Sequence, residues 1–278
     1  MSVHAPSKPA VRDVQVRGEK LARSSGFEWL ARAGFVARGL IYGIIGILAI
    51  ELALDAGGKT TNQQGALEEI ARQPFGKVLL TLVAIGLAGY ALWRLIRALL
   101  GHGPEDSDSA FDRLAALGSG IVYAGLCAIA VEILVGAGGN SGNTHKTTAG
   151  VLGWPAGTWL VGCAGAVMVG VGLYQGYRGA SRDFLDDSKT EEMTPTVRAW
   201  ITWIGTFGHL ARMVVFGLVG VFLIKAAVEY DPNKAVGLDG ALAKLGHNSY
   251  GPFLLGLVAA GLIAFGLYSL GDARYRRI

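Results

Sequence analysis

Runs of about twenty apolar residues, separated by short polar connections, fill most of this chain. Crossing a hydrocarbon core of about 30 Å takes roughly 20 residues of helix. Six stretches meet that requirement: Gly34–Leu54, Val78–Leu100, Leu114–Gly136, Ala156–Tyr177, Gly205–Ala227 and Phe253–Gly271. The fourth is the cleanest, with no charged residue between Lys146 and Arg178, whereas Glu51, Glu132 and Lys225 interrupt the first, third and fifth near one end. The first run follows a polar segment and is long enough to stay in the membrane, so it predicts a retained helix and not a signal peptide. The pattern predicts an all-α polytopic membrane protein with six transmembrane helices.

Charge sets the expected orientation. Arg12, Arg17, Lys20, Arg23 and Arg32 precede the first span; Arg94, Arg97 and Arg113 flank the second connection; Arg178, Arg182, Lys189 and Arg198 flank the fourth; Arg274, Arg276 and Arg277 close the chain. The opposite connections hold fewer cations: Lys59, Arg72 and Lys77, then Lys146, then Lys234 and Lys244. Cationic connections stay in the cytoplasm, so both termini are expected there. The composition agrees: 17% charged residues against the roughly 25% of a soluble chain, and 42 glycines in 278 residues, about double the usual share. That argues against a soluble enzyme. The net charge of +4 follows from topology and calls for no nucleic-acid partner. Residues 8–23 read as a disordered basic tail, able to touch anionic headgroups at about 1 kcal/mol per cation.

Superposing the spans on one another reveals a repeat. Trp29, Leu30, Gly34, Arg38, Tyr42, Gly43 and Gly46 match Trp203, Ile204, Gly208, Arg212, Phe216, Gly217 and Gly220. A weaker middle copy places Ser119, Gly120, Tyr123 and Glu132 where the first has Arg38, Gly39, Tyr42 and Glu51, and so lacks the arginine. Second helices repeat too: Gly65-Ala66-Leu67, Phe75-Gly76, Gly86, Tyr90 and Leu92-Trp93 align with Gly240-Ala241-Leu242, Tyr250-Gly251, Gly261, Phe265 and Leu267-Tyr268. Pro155, Gly157 and Tyr174 stand for Pro74, Gly76 and Trp93 in the middle copy. Each unit holds two helices, so all three enter the membrane in the same direction, as parallel repeats with pseudo-threefold packing. The expected divisions are a tail (1–27), repeat one (28–101), repeat two (109–179), an acidic linker (180–198), repeat three (199–272) and a basic tail (273–278).

Three tandem units, the Gly-x3-Arg-x3-[Tyr/Phe]-Gly string and the Gly-x3-[Tyr/Phe]-x-Leu-[Trp/Tyr] end of the second helix resemble the bacterial membrane family known as domain of unknown function 1206. The resemblance covers about residues 28–272. It implies six helices in the bacterial plasma membrane, and no catalytic residue to carry over. Mitochondrial carriers also use three two-helix repeats, but their Pro-x-[Asp/Glu]-x2-[Lys/Arg] motif is absent from the odd spans here.

The candidate polar site follows from depth. Glu51, Glu132 and Lys225 occupy one outer level on the three odd helices, where packing about a common axis would let them hold a cation or pass a proton. The competing reading is interfacial, with long side chains reaching the headgroups. Arg38 and Arg212 lie about 13 residues earlier, roughly 20 Å along the axis, so they cannot meet their own helix's outer charge. They read as staples against a neighbouring helix, through carbonyls or an aromatic ring, or as anion or lipid-phosphate contacts. Gly39-x3-Gly43, Gly153-x3-Gly157 and Gly172-x3-Gly176 read as close-packing steps, with a glycine-lined pore as the alternative. Pro74, Pro155 and Pro252 read as starts of second helices.

Other chemistry finds little support. Among His4, His102, His145, His209 and His247 only His209 lies in a span, so a bis-histidine haem lacks its second ligand. Cys127 and Cys163 stand alone in apolar helices as small hydrophobes. Gly118-Ser119-Gly120 departs from the Gly-x-Ser-Gly of rhomboid proteases at Leu117, and nothing brings His209 to Ser119. No metal, cofactor or catalytic residue is assigned. Segment Gly136–Gly150 reads as an external loop, and Asp183, Asp186, Asp187, Glu191 and Glu192 as a solvated linker or a dock for a basic partner. The expectation is a non-enzymatic structural or interaction component, touching lipid and a membrane-protein partner or a second copy of itself. The alternative is a small-solute or proton-coupled transporter using Glu51, Glu132, Lys225, Arg38 and Arg212.

Overall fold

A computed structural model of the chain describes residues 25–100, 110–136, 144–247 and 250–277. The basic segment 8–23, His4, His102 and residues 137–143 of the glycine-rich connection lie outside them. The described residues form nine α-helices and no strand. Six are long and apolar enough to cross a bilayer: α1 (Ser25–Ala53), α3 (Gly76–Leu100), α4 (Ala110–Leu134), α6 (Gly157–Ser181), α7 (Pro195–Val228) and α9 (Gly251–Tyr275).

Two of these start earlier than the apolar runs suggest. Helix α1 begins at Ser25 instead of Gly34, and α7 at Pro195 instead of Gly205. An apolar run marks where lipid must be met, whereas the backbone ladder continues until something stops it. In α7 that stop is specific: the Thr194 hydroxyl accepts from Val197 N at 3.4 Å, and Pro195 occupies the first turn. At 1.5 Å per residue its 34 residues span about 51 Å.

The connections on the face opposite the termini hold three short helices, α2 (Gln63–Arg72), α5 (Thr144–Leu152) and α8 (Leu238–Gly246). This corrects two expectations. Gly65-Ala66-Leu67 and Gly240-Ala241-Leu242 belong to α2 and α8, not to the second long helices, and half of the Gly136–Gly150 loop is helical. The reason is amphipathicity: Ala66, Leu67 and Ile70 bury one stripe of α2 while its other positions are polar. The Asn62 side chain caps α2 by accepting from Gly65 N at 3.0 Å. Each short helix turns into the next long one at a glycine, Gly76, Gly157 or Gly251. A Cβ at any of the three would overlap the carbonyl oxygen of Ala71, Val151 or Gly246, so this junction admits no side chain. Gly153 sits in the turn before α6, so Gly153-x3-Gly157 is not a step on one helix. Pro74 and Pro155 precede α3 and α6, and Pro252 falls in the first turn of α9, as expected of helix starts.

The long helices pack in one open series, α4–α3–α1–α9–α7–α6. Its three junctions between repeats, α3 with α4, α6 with α7 and α9 with α1, are all closely packed, as are the contacts inside repeats one (α1 with α3) and three (α7 with α9). Among the described residues, α4 and α6 of the middle repeat do not pack on one another. Glycines account for the difference. A Cβ on Gly34 would lie 2.7 Å from the Gly86 carbonyl, and one on Gly208 would lie 2.6 Å from the Phe265 backbone. Carrying the repeat alignment to these positions, Gly34 and Gly86 become Ala115 and Val167 in the middle copy, both exposed. Close approach of two helices needs small residues at the crossing, and the middle repeat lacks the pair. Between repeats the glycines remain: Gly39 meets Gly266, and Gly165 and Gly172 meet Gly220 and Gly217.

Candidate functional site

The buried polar groups gather toward the end of the bundle that carries the termini. Arg38 on α1 is 6% exposed. Its guanidinium donates to Ser269 Oγ (2.9 Å) and Asp272 Oδ2 (2.8 Å) of α9 and to the Tyr90 hydroxyl of α3 (2.9 Å). The rings of Phe35, Tyr90 and Phe265 lie within 5.4 Å of it. A cation in low dielectric is tolerated when it is paired and its donors are used, and here three helices supply the partners.

The network continues into the linker. Arg276, just past α9, donates to Asp272 Oδ2 (3.4 Å) and to Asp187 Oδ2 (2.8 Å), and Arg178 on α6 donates to the same Asp187 oxygen (2.6 Å). Ser188 and Arg276 form an antiparallel bridge, Lys189 N donates to Tyr275 O (2.7 Å) and Arg277 N to Asp187 O (2.9 Å). Linker and chain end are therefore laced together beneath the bundle. Burial raises the pKa of Asp187, but the guanidiniums of Arg276 and Arg178 outweigh it and hold the carboxyl well below the usual carboxylate range. Burial likewise opposes the charge of Arg276, and Asp187 with Asp272 overcomes it, raising its pKa.

Arg212 on α7 sits at the repeat-related place with different company. The Gln175 carboxamide of α6, oriented to complement both neighbours, accepts from the two terminal guanidinium nitrogens (3.0 and 3.1 Å) and donates to His209 Nδ1 (2.8 Å). Tyr42, Phe216 and Phe265 rings lie within 5.3 Å of the guanidinium. Phe265 is thus within cation–π reach of both repeated arginines. His209 stacks on Phe184 at 5.2 Å, and its Nε2 is buried without a hydrogen-bond partner.

The sequence missed how the second helices answer these arginines. Extending the alignment of Trp93, Tyr174 and Tyr268 by one residue pairs Arg94, Gln175 and Ser269, and three further on pairs Arg97, Arg178 and Asp272. Ser269 and Asp272 serve Arg38, and Gln175 serves Arg212. At the remaining junction the first helix carries Ser119 and the second supplies the arginine: Arg94 donates to the Tyr90 hydroxyl (3.0 and 3.1 Å) and lies over Trp93. Arg38 and Arg212 therefore each bridge a junction between repeats, whereas Arg94 is held by Tyr90 and Trp93 of its own helix. Carrying the repeat alignment one turn past the apolar run is the signal that finds Asp272.

The outer charges stand apart. Lys225 is exposed and pairs with Glu229 one turn later on the same chain (3.9 Å), and Glu229 also pairs with Lys234. Glu132 is exposed and Glu51 half-buried, and no ion pair links Lys225 to either. Ser119 makes no bond with His209, whose Nδ1 is taken by Gln175. Cys127 Sγ lies 3.5 Å from Ala84 O, and Cys163 is exposed. Among the described residues no three His, Cys, Asp or Glu side chains are grouped to hold a metal ion.

The hydrogen bonds of Arg38 tie α1 to α9 and α3, while Asp272 Oδ1 and Arg276 Nε are buried without a partner. The family described as Domain of Unknown Function (DUF1206) matches the chain three times, over residues 33–101, 102–182 and 207–276. The chain is also 30% identical over 272 residues to "Uncharacterized protein YxxB" of Bacillus subtilis (strain 168), covering 97% of this chain and 98% of that one. No solved structure matches it. The chain belongs to the DUF1206 family.

Proposed function

Starting from membership in a family whose activity is open, we propose that this protein is a non-enzymatic packing component of the bacterial plasma membrane. Both termini lie in the cytoplasm, and the middle repeat offers its unclosed side to lipid chains or to a transmembrane helix of another protein. One observation carries the reading: α4 and α6 each pack on an outer repeat and not on one another. Five contacts join the long helices in series, and the sixth is weakened by Ala115 and Val167 where the other repeats keep glycine. The repeated arginines support the same reading, because Arg38 and Arg212 are engaged in fastening helices and are not held free for a solute. Cationic connections at the termini support the orientation.

Spin labels test it. Single cysteines at Gly118, Gly125 and Gly170, which have no close neighbours, are introduced with Cys127 and Cys163 replaced by alanine. In the purified, reconstituted protein these labels are expected to relax with oxygen, which partitions into lipid, and not with a water-soluble nickel chelate. A nickel-accessible track running from one face to the other would overturn the packing reading and favour transport.

A further inference from the structure

Two arginines that flank the linker have no carboxylate partner among the described residues. Arg182, in the left-handed conformation (φ 66°) just after α6, and Arg198, in the first turn of α7, make no ion pair, although Lys189 and Arg277 beside them are paired with Glu192 and Glu191. Both line a cavity of about 480 Å³, together with Thr190, Thr202, Trp203 and Thr206. The Thr206 hydroxyl is buried and has no hydrogen-bond partner. A second cavity of about 220 Å³ shares Thr190 and Arg198 and adds Ser188 and Asp186.

The depth of this cavity identifies its surroundings. Trp203 and its repeat counterpart Trp29 are both exposed near the termini end of the bundle, where indole rings sit at headgroup level. Arg198 lies five residues before Trp203, about 7.5 Å farther from the bilayer centre, and Thr206 about 4.5 Å nearer to it. A phosphodiester at headgroup level therefore meets two unpaired guanidiniums and an unused hydroxyl, beside the exposed Trp203 ring. Guanidinium is suited to phosphate because its donors form a planar fork.

We propose that this cavity binds the headgroup of an anionic glycerophospholipid. Its phosphate sits between Arg182 and Arg198 and accepts from Thr206. Headgroup hydroxyls enter the second cavity, where Asp186 accepts from them and Ser188 lies alongside.

Native mass spectrometry of the full chain, released from nanodiscs of phosphatidylcholine mixed with phosphatidylglycerol, tests this. The wild-type protein is expected to retain phosphatidylglycerol selectively. Arg182→Gln/Arg198→Gln is expected to lower that selectivity about tenfold. Arg113→Gln/Arg274→Gln, which removes the same charge from the same face at residues that do not line either cavity, is expected to keep it. Equal selectivity in all three, or equal loss in both double variants, overturns the proposal. Displacement of the lipid by soluble glycerol 1-phosphate would assign the cavity to a free phosphate ester and overturn the lipid assignment. Thr206→Val keeps the helix and the charges. A several-fold loss of selectivity in it supports the site even if the arginine variant does not fold, and unchanged retention removes the hydroxyl's role and with it the proposed geometry.

Discussion

Arg38 and Arg212 occupy the same place in the first and third repeats, yet one is neutralised and the other is only solvated. Arg38 meets a carboxylate, a hydroxyl and a phenol, and its charge is passed through Asp272 to Arg276 and Asp187. Arg212 meets one carboxamide and three ring faces. At the third junction Ser119 stands on the first helix and the arginine, Arg94, on the second. A guanidinium is thus kept at the junctions of Arg38 and Arg212, while Arg94 is held within its own helix. The counter-charge of the repeated guanidinium is free to change. Pairing at Arg38 makes that junction sensitive to loss of one partner, since an orphaned buried charge costs more than a missing neutral contact.

The largest effect should come from Asp272→Ala, which strands Arg38 and leaves Arg276 with Asp187 alone. A loss of about 3–5 kcal/mol is expected, read as equilibrium unfolding in mixed detergent micelles. Gly34→Val presses a side chain into the α1–α3 crossing and should cost about 1–3 kcal/mol. The same change at the middle repeat, Ala115→Val, should stay within about 0.5 kcal/mol because nothing packs there. Equal costs at the two positions would show that α4 and α6 do meet. At Arg212, Gln175→Leu removes the amide and should cost about 1–3 kcal/mol, less than Asp272→Ala. A reversed order would break the contrast between paired and solvated arginine. The smallest effect concerns acid. Asp187 has a depressed pKa, so its contribution is fully present above its unfolded value of about 3.9 and disappears as pH falls below it toward the lower folded value. Melting temperature followed from pH 6 downward should fall less steeply in Asp187→Asn than in the wild-type protein.

Six spans were legible because a bilayer demands long uninterrupted apolar runs, and the repeat was legible because Gly34, Arg38, Gly43 and their counterparts recur at fixed spacing. The short helices were not, since α2 buries only Ala66, Leu67 and Ile70 among charged neighbours. Asp272 escaped notice because it lies one residue beyond the last apolar run, at the edge of repeat three, where no charge is expected to be buried. The depth of Lys225 follows from counting, but the direction it faces depends on how α7 is rotated, and α7 turns it toward Glu229. The opening between α4 and α6 hangs on which glycines face which, a matter of azimuth that Ala115 and Val167 do not declare alone.

The pair that fastens α1 to α9 joins residues 234 positions apart. The earliest of the six described spans to leave the ribosome depends for its counter-charge on the sixth. At about 5–20 residues per second, Arg38 waits roughly 10–50 s inside a growing protein before Asp272 is made. Every nascent chain therefore passes through a stage with an unneutralised guanidinium at membrane depth, held by the insertion machinery or by water until the sixth span arrives. A chain cut short before residue 272 never leaves that stage, so incomplete products carry within α1 the feature by which quality control can tell them from finished ones.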